Sequence, residues 1–169
     1  MPFLVWELFA SPGREAAQVA LGEDLLLARG VQIGPSWRLD YELETGPGWV
    51  TRRLQATAIG EGFRRTLDLE LGTDDWVDGA LDCDIAFSPL TNAMPVLRSG
   101  LASRAGGEDF VMSWVAVPEL TVHASRQRYE HVSDGVVRFV SLDDDFTADL
   151  TLDSDGLVIR YPEIGERVA

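Results

Sequence analysis

The chain has 169 residues and 18.6 kDa, with 28 acidic side chains against 14 basic ones and a formal net charge of −14. Every basic residue is an arginine, so a P-loop lysine, a kinase-type strand lysine and a lysine Schiff base are excluded. One cysteine and two histidines likewise exclude an internal disulfide, a CxxC redox pair, a four-cysteine zinc site and an HExxH helix.

An exterior this acidic is repelled by nucleic-acid phosphate and by anionic headgroups, so neither nucleic-acid binding nor stable membrane association is expected. Met1-Pro2-Phe3-Leu4-Val5-Trp6-Glu7 has no basic flank and breaks its apolar run at Glu7. No stretch reaches the ~20 apolar residues of a membrane span, and a cytoplasmic protein is expected. With 46% hydrophobic residues, a single domain over residues 1–169 has ample material for a core or a lined cavity.

Along the chain the dominant period is two. Strands are predicted at residues 3–9, 15–21 and 24–33. Then Trp37, Leu39, Tyr41 and Leu43 alternate with Arg38, Asp40, Glu42 and Glu44, as in a strand with one wet face. Trp49 to Ala58 and Phe63 to Leu71 flank a turn at Ile59-Gly60-Glu61-Gly62. Centred on Gly60-Glu61, this hairpin pairs Leu54 with Leu67 and Arg53 with Asp68. A strand at 80–87 leads into Ser88-Pro89-Leu90-Thr91-Asn92-Ala93-Met94-Pro95-Val96-Leu97-Arg98, which strand physics does not explain. Here Thr91 or Asn92 caps a short helix within 91–103, with Pro95 in its first turn. Strands follow at 109–117, 121–132 and 136–142. A last hairpin from Phe146 to Tyr161, around Ser154-Asp155-Gly156, sets Leu150 opposite Ile159 and Asp149 opposite Arg160. The pattern is mainly β: about a dozen antiparallel strands in a roll, sandwich or barrel, with at most one or two short helices. A weak echo relates Tyr41…Val77 to Tyr129…Val158 and, read as a duplication, puts Arg138 where Arg52 stands.

Two arginines fall on apolar faces in this register. Arg52 aligns with Val50 and Leu54, and Arg65 aligns with Phe63 and Leu67. A desolvated guanidinium requires acceptors. Either acids supply them, or both arginines serve a cavity that holds a polar headgroup. The five tryptophans fit a core or a stacking surface equally. Counting Asp153 as the first position of a calcium loop puts Ile164 where the bidentate glutamate belongs, so the late aspartates read as turn residues. His123 and His131 read as ordinary strand residues, and no metal, cofactor or catalytic residue is singled out.

The run Asp82-Cys83-Asp84-Ile85-Ala86-Phe87-Ser88-Pro89-x-Thr91-Asn92-x-x-Pro95 resembles the central motif of the bacterial glycolipid-binding family. Trp49-x-Thr51-Arg52, Gln127-x-Tyr129 and Asp153-x-x-Gly156-Leu157-Val158-x-x-Tyr161-Pro162 extend the resemblance over nearly the whole chain. It implies an antiparallel β-roll comparable to the half-barrel of lipoprotein carriers, with a concave face for a glycolipid. The matching positions are Trp49, Arg52, Thr91, Asn92, Arg98, Gln127 and Tyr129. Leu90 stands where an aromatic is expected and Leu97 replaces one of a basic pair, which favours an uncharged sugar over an anionic headgroup.

The expected function is therefore a non-enzymatic binding protein or carrier for a glycolipid or similar amphiphile. Trp49 stacks on the headgroup, Arg52, Arg65 and Arg98 donate to it, Asn92 and Gln127 read its hydroxyls, and the interior is locally positive. The alternatives are a hydrolase or isomerase using a carboxylate or His131 in the same cavity, and a protein-protein interaction module, including a homo-oligomer. A closed interior with Arg52 and Arg65 both salt-bridged and no cavity above ~300 Å³ marks the last.

Overall fold

The computed structural model describes residues 1–169. Thirteen strands form one open sheet: β1 Phe3–Leu8, β2 Gly13–Leu21, β3 Leu26–Ile33, β4 Trp37–Thr45, β5 Thr51–Gly60, β6 Phe63–Glu70, β7 Asp82–Ile85, β8 Gly107–Val115, β9 Val122–Ser133, β10 Val136–Ser141, β11 Thr147–Leu152, β12 Val158–Tyr161 and β13 Gly165–Arg167. Their order is β6-β5-β4-β3-β2-β1-β13-β12-β11-β10-β9-β8-β7. All pairings are antiparallel except β7 with β8. A parallel pair needs a long crossover, and residues 86–106 supply it. Within that crossover a 3₁₀ turn, Leu90–Asn92, runs into helix α1, Ala93–Ser99.

This crossover fills the interior of the roll. Seven consecutive residues, Leu90 to Val96, are buried, as expected of a helix enclosed on every side. Leu90, Ala93 and Met94 join Trp6, Leu39, Leu43 and Leu54 in a 25-residue cluster under β1 to β6. Val96 and Leu101 join Tyr129, Val137, Phe139 and Leu150 in an 11-residue cluster under β8 to β12. The concave face expected to hold a lipid tail is thus occupied by the chain itself. Asn92 precedes α1 in a helical conformation without capping it, because the 3₁₀ turn already supplies the preceding helical turn. Its amide turns back to the carbonyls of Ser88 and Pro89.

Three expectations about register are corrected. The β5–β6 hairpin turns at Glu61-Gly62, so Leu54 faces Leu69 and Ala56 faces Leu67. A slip of two residues keeps every side chain on its expected face, and Arg53 still reaches Asp68, diagonally, at 2.6 Å. In the last hairpin a bulge sets Arg160 opposite Thr151, and Asp149 pairs instead with Arg138 of β10 at 2.8 Å. In the echo, Tyr41 faces Ala56 whereas Tyr129 faces Phe139, so Arg138 corresponds to Gln55 and not to Arg52. Strand β13 is too short for a periodic signal, yet it joins the two halves by pairing with both β1 and β12.

Candidate functional site

A continuous polar network lies behind the buried crossover. Tyr41 of β4 donates to Glu15 Oε1 of β2, and Ser88 Oγ donates to the same oxygen at 2.8 Å. Tyr41 can lie flat because its cross-strand partner is Gly30, where a Cβ would sit 2.3 Å from the ring. The Ser88 carbonyl accepts from Asn92. Asn92 Oδ1 accepts from Tyr129 at 2.7 Å, and Gln127 Oε1 lies 3.2 Å from the same hydroxyl. Gln127 Nε2 donates to Asp84 Oδ2 at 2.7 Å, and Thr91 Oγ1 to Asp84 Oδ1 at 2.8 Å. Burial pushes the Asp84 carboxyl above the ordinary range, opposed by Gln127 and Thr91, with the Asp82 charge adding to the rise. Glu15, fully buried, is pushed up to about 7 by desolvation, against the bonds from Tyr41 and Ser88.

Asp82 and Arg98 form a second buried unit. Arg98 grips both Asp82 oxygens at 2.8 and 2.6 Å, with side-chain exposures of 17% and 1% respectively. The guanidinium also lies over the Phe110 ring at 5.5 Å and donates to the Trp49 carbonyl. Arg98 is therefore committed to the fold.

A cavity of about 380 Å³ opens beside this network. It is lined by Asp84, Phe87, Ser88 and Asn92 of β7 and the crossover, by Trp114, Gln127, Phe139 and Tyr161 of the strands, and by Asp143, Asp144 and Phe146 of the loop after β10. Phe87 enters it from a left-handed backbone, φ 66°, a strained conformation for a bulky residue and one found at sites more often than elsewhere. The Asp143 carboxylate is taken by Arg126 at 2.8 Å, and Asp144 Oδ1 caps the Phe146 amide.

Of the eight residues expected from sequence, Asn92 and Gln127 line this cavity. Thr91 and Tyr129 hold the lining from behind, and Arg98 is paired elsewhere. Trp49 sits beyond α1 in a 3₁₀ turn, Pro47–Trp49. Arg52 does not point inward: the bulge that opposes Thr51 to Thr45 and Arg53 to Glu44 inserts Arg52 between them and turns it to solvent. Arg65 stays on the inner face opposite Ala58, but on edge strand β6 that position is open to solvent, with the guanidinium 4.2 Å from the Phe63 ring. Neither arginine has a salt bridge, and the cavity exceeds the size set for a closed module. The expected positive interior is also corrected, since no basic residue lines the cavity while three aspartates do. His131 lies against the Leu101 carbonyl, away from it. Sequence reasoning missed Asp84, Phe87, Trp114, Asp144 and Tyr161 as lining. Asp84, Phe87 and Tyr161 do stand in the quoted motifs, and that was the only signal for them.

A larger trough of about 740 Å³ lies on the opposite, solvent-facing side of β1 to β6. Its charged side chains are paired, Arg29 with Glu42 and Arg38 with Asp40 inside the trough and Asp68 with Arg53 beside it. No helix is long and apolar enough to cross a membrane.

Residues 3–167 match the profile of a family described as "Putative glycolipid-binding". The crystal structure of a DUF1089 family protein from Pseudomonas aeruginosa is similar at a TM-score of 0.78 and 26% identity, over 91% of this chain and 92% of that one. No curated protein matches.

Proposed function

The chain belongs to this glycolipid-binding family, and from that premise we propose that it is a non-enzymatic cytoplasmic binding protein that holds the polar headgroup of an amphiphile in the cavity beside Asp84. The observation that carries this reading is the cavity itself. It offers polar groups, aromatic rings and about 380 Å³ of space, near the lower end for ligand sites. That volume suits one headgroup. The interior elsewhere is filled by α1 and its neighbours, so a tail has no enclosed place and lies outside the mouth. Gln127 and Asn92 line the headgroup site as its framework, their N–H groups held by Asp84 and Ser125 and by Ser88 and Pro89, Trp114 or Phe139 supplies a face for stacking, and Thr91 and Tyr129 fix those groups from behind.

Native mass spectrometry of protein purified from its own host, followed by organic extraction, tests the reading. A lipid-sized adduct is expected, and Ala124→Trp, which blocks the cavity from an exposed lining position, should remove it without unfolding the protein. Absence of any adduct from the native protein, or an adduct that survives the blocking substitution, sinks it.

A further inference from the structure

The character of the headgroup follows from what the cavity offers it. Tyr161 lines the cavity with 7% of the residue exposed; its hydroxyl has no hydrogen-bond partner in the protein and is not itself sealed from solvent. A hydroxyl at a cavity surface without a protein partner is free to donate to, and accept from, whatever enters the cavity. The carboxylates of Asp84 and Asp144 lie within electrostatic reach of that hydroxyl, since both hold its pKa up in addition to burial. Each oxygen of Asp84 accepts one bond from the protein, from Thr91 or from Gln127, and keeps a lone pair free. Phe139, Phe146 and Tyr161 form a triangle of rings with centroids 5.9 to 6.2 Å apart, and Trp114 joins the lining. No lysine exists in the chain and no arginine or histidine lines the cavity. The site is therefore rich in acceptors and ring faces and poor in cationic donors. Ring faces and carboxylates together attract ammonium groups, whereas a phosphate or carboxylate would meet uncompensated like charge.

Resting on the headgroup site proposed above, we propose that its ligand class is cationic: an amine carried on a hydroxylated ring, with Asp84 and Asp144 facing the ammonium and Tyr161 bonding a neighbouring hydroxyl or amine hydrogen. Tyr161, Asp84 and Asp144 are the specificity-determining residues of the site.

The test is an isosteric series titrated into ¹⁵N-labelled protein at neutral pH: glucose, glucosamine and glucuronate. The readouts are the Trp114 indole and Gln127 side-chain amide resonances. Glucosamine should shift both and bind about tenfold tighter than glucose, with glucuronate weaker than either, since one favourable charge contact in a partly desolvated site is worth about a factor of ten. Asp144→Asn keeps the acceptor that caps Phe146 and removes only the charge. It should abolish the preference for glucosamine over glucose. Tyr161→Phe should weaken glucosamine and glucose alike. Glucose or glucuronate binding as tightly as glucosamine, or an Asp144→Asn protein that keeps the preference, overturns the cationic class while leaving the headgroup site standing. If none of the three sugars shifts either resonance at millimolar concentration, the site and its class fall together.

Discussion

Replacing Arg98 by alanine strands Asp82, whose side chain is 1% exposed and whose two oxygens are both held by that guanidinium. Breaking a buried pair in this way costs about 3–5 kcal/mol. The carboxyl can escape only by taking up a proton, which sets a ceiling on the loss. Raising an aspartate of ordinary pKa 3.8 to the protonated form at neutral pH costs ~4 kcal/mol, at about 1.4 kcal/mol per pH unit, and at pH 5 it costs only ~1.6 kcal/mol. Some packing is lost besides, because the arginine lies over Phe110. For a chain of this length the loss at neutral pH corresponds to a fall in Tm of roughly 8–16 °C. Urea denaturation of the wild type and Arg98→Ala at pH 7 and pH 5 measures it. The gap should shrink by about half or more at the lower pH, and Asp82→Asn combined with Arg98→Met should recover most of the stability at both. A loss under ~1 kcal/mol at neutral pH, or one that does not depend on pH, would refute the reasoning that Asp82 is a buried charge held by a single partner.

Glu15 and Gln32 lie directly opposite each other on β2 and β3, and Glu15 Oε2 and Gln32 Oε1 are both buried acceptors without a donor, so a proton on Glu15 satisfies the two at once. The folded pKa of Glu15, about 7, lies above its ordinary 4.5, so its contribution is full below ~4.5 and is lost as pH rises through ~7, about 3 kcal/mol in all. Glu15→Gln should flatten that part of the stability-pH curve and exceed the wild type at pH 8; parallel curves would count against a protonated Glu15. Tyr129→Phe leaves Asn92 Oδ1 and Gln127 Oε1 without their shared donor and should cost about 1–3 kcal/mol by urea denaturation; a neutral result means the amides re-pair. Gly156→Ala should cost more than Gly62→Ala. Both glycines have positive φ, but a Cβ at 156 meets Leu97 Cδ2 at 2.8 Å while one at 62 meets nothing, and equal losses would show that backbone strain alone matters.

The sequence by itself determined the strands and their faces. Period-two alternation survives a register slip of two residues, which is why Arg53 and Asp68 remain partners although the turn moves. It also determined the family, through a motif around Asp84, Ser88 and Asn92, and the class of chemistry that absent lysine forbids. Only the tertiary structure decided what those motif residues do. Ser88, Thr91 and Asn92 are ordinary loop polars until the crossover is seen to run through the interior, where each buried polar atom must find a partner and they become the scaffold between Glu15 and Asp84. Alternation assigned Arg52 to the inside because it cannot register a bulge, and one inserted residue reverses the face. The sign of the cavity was equally illegible. It depends on Asp84 from β7, Asp144 from a distant loop and Tyr161 from β12 meeting across the sheet, a convergence set by strand order and not by spacing along the chain.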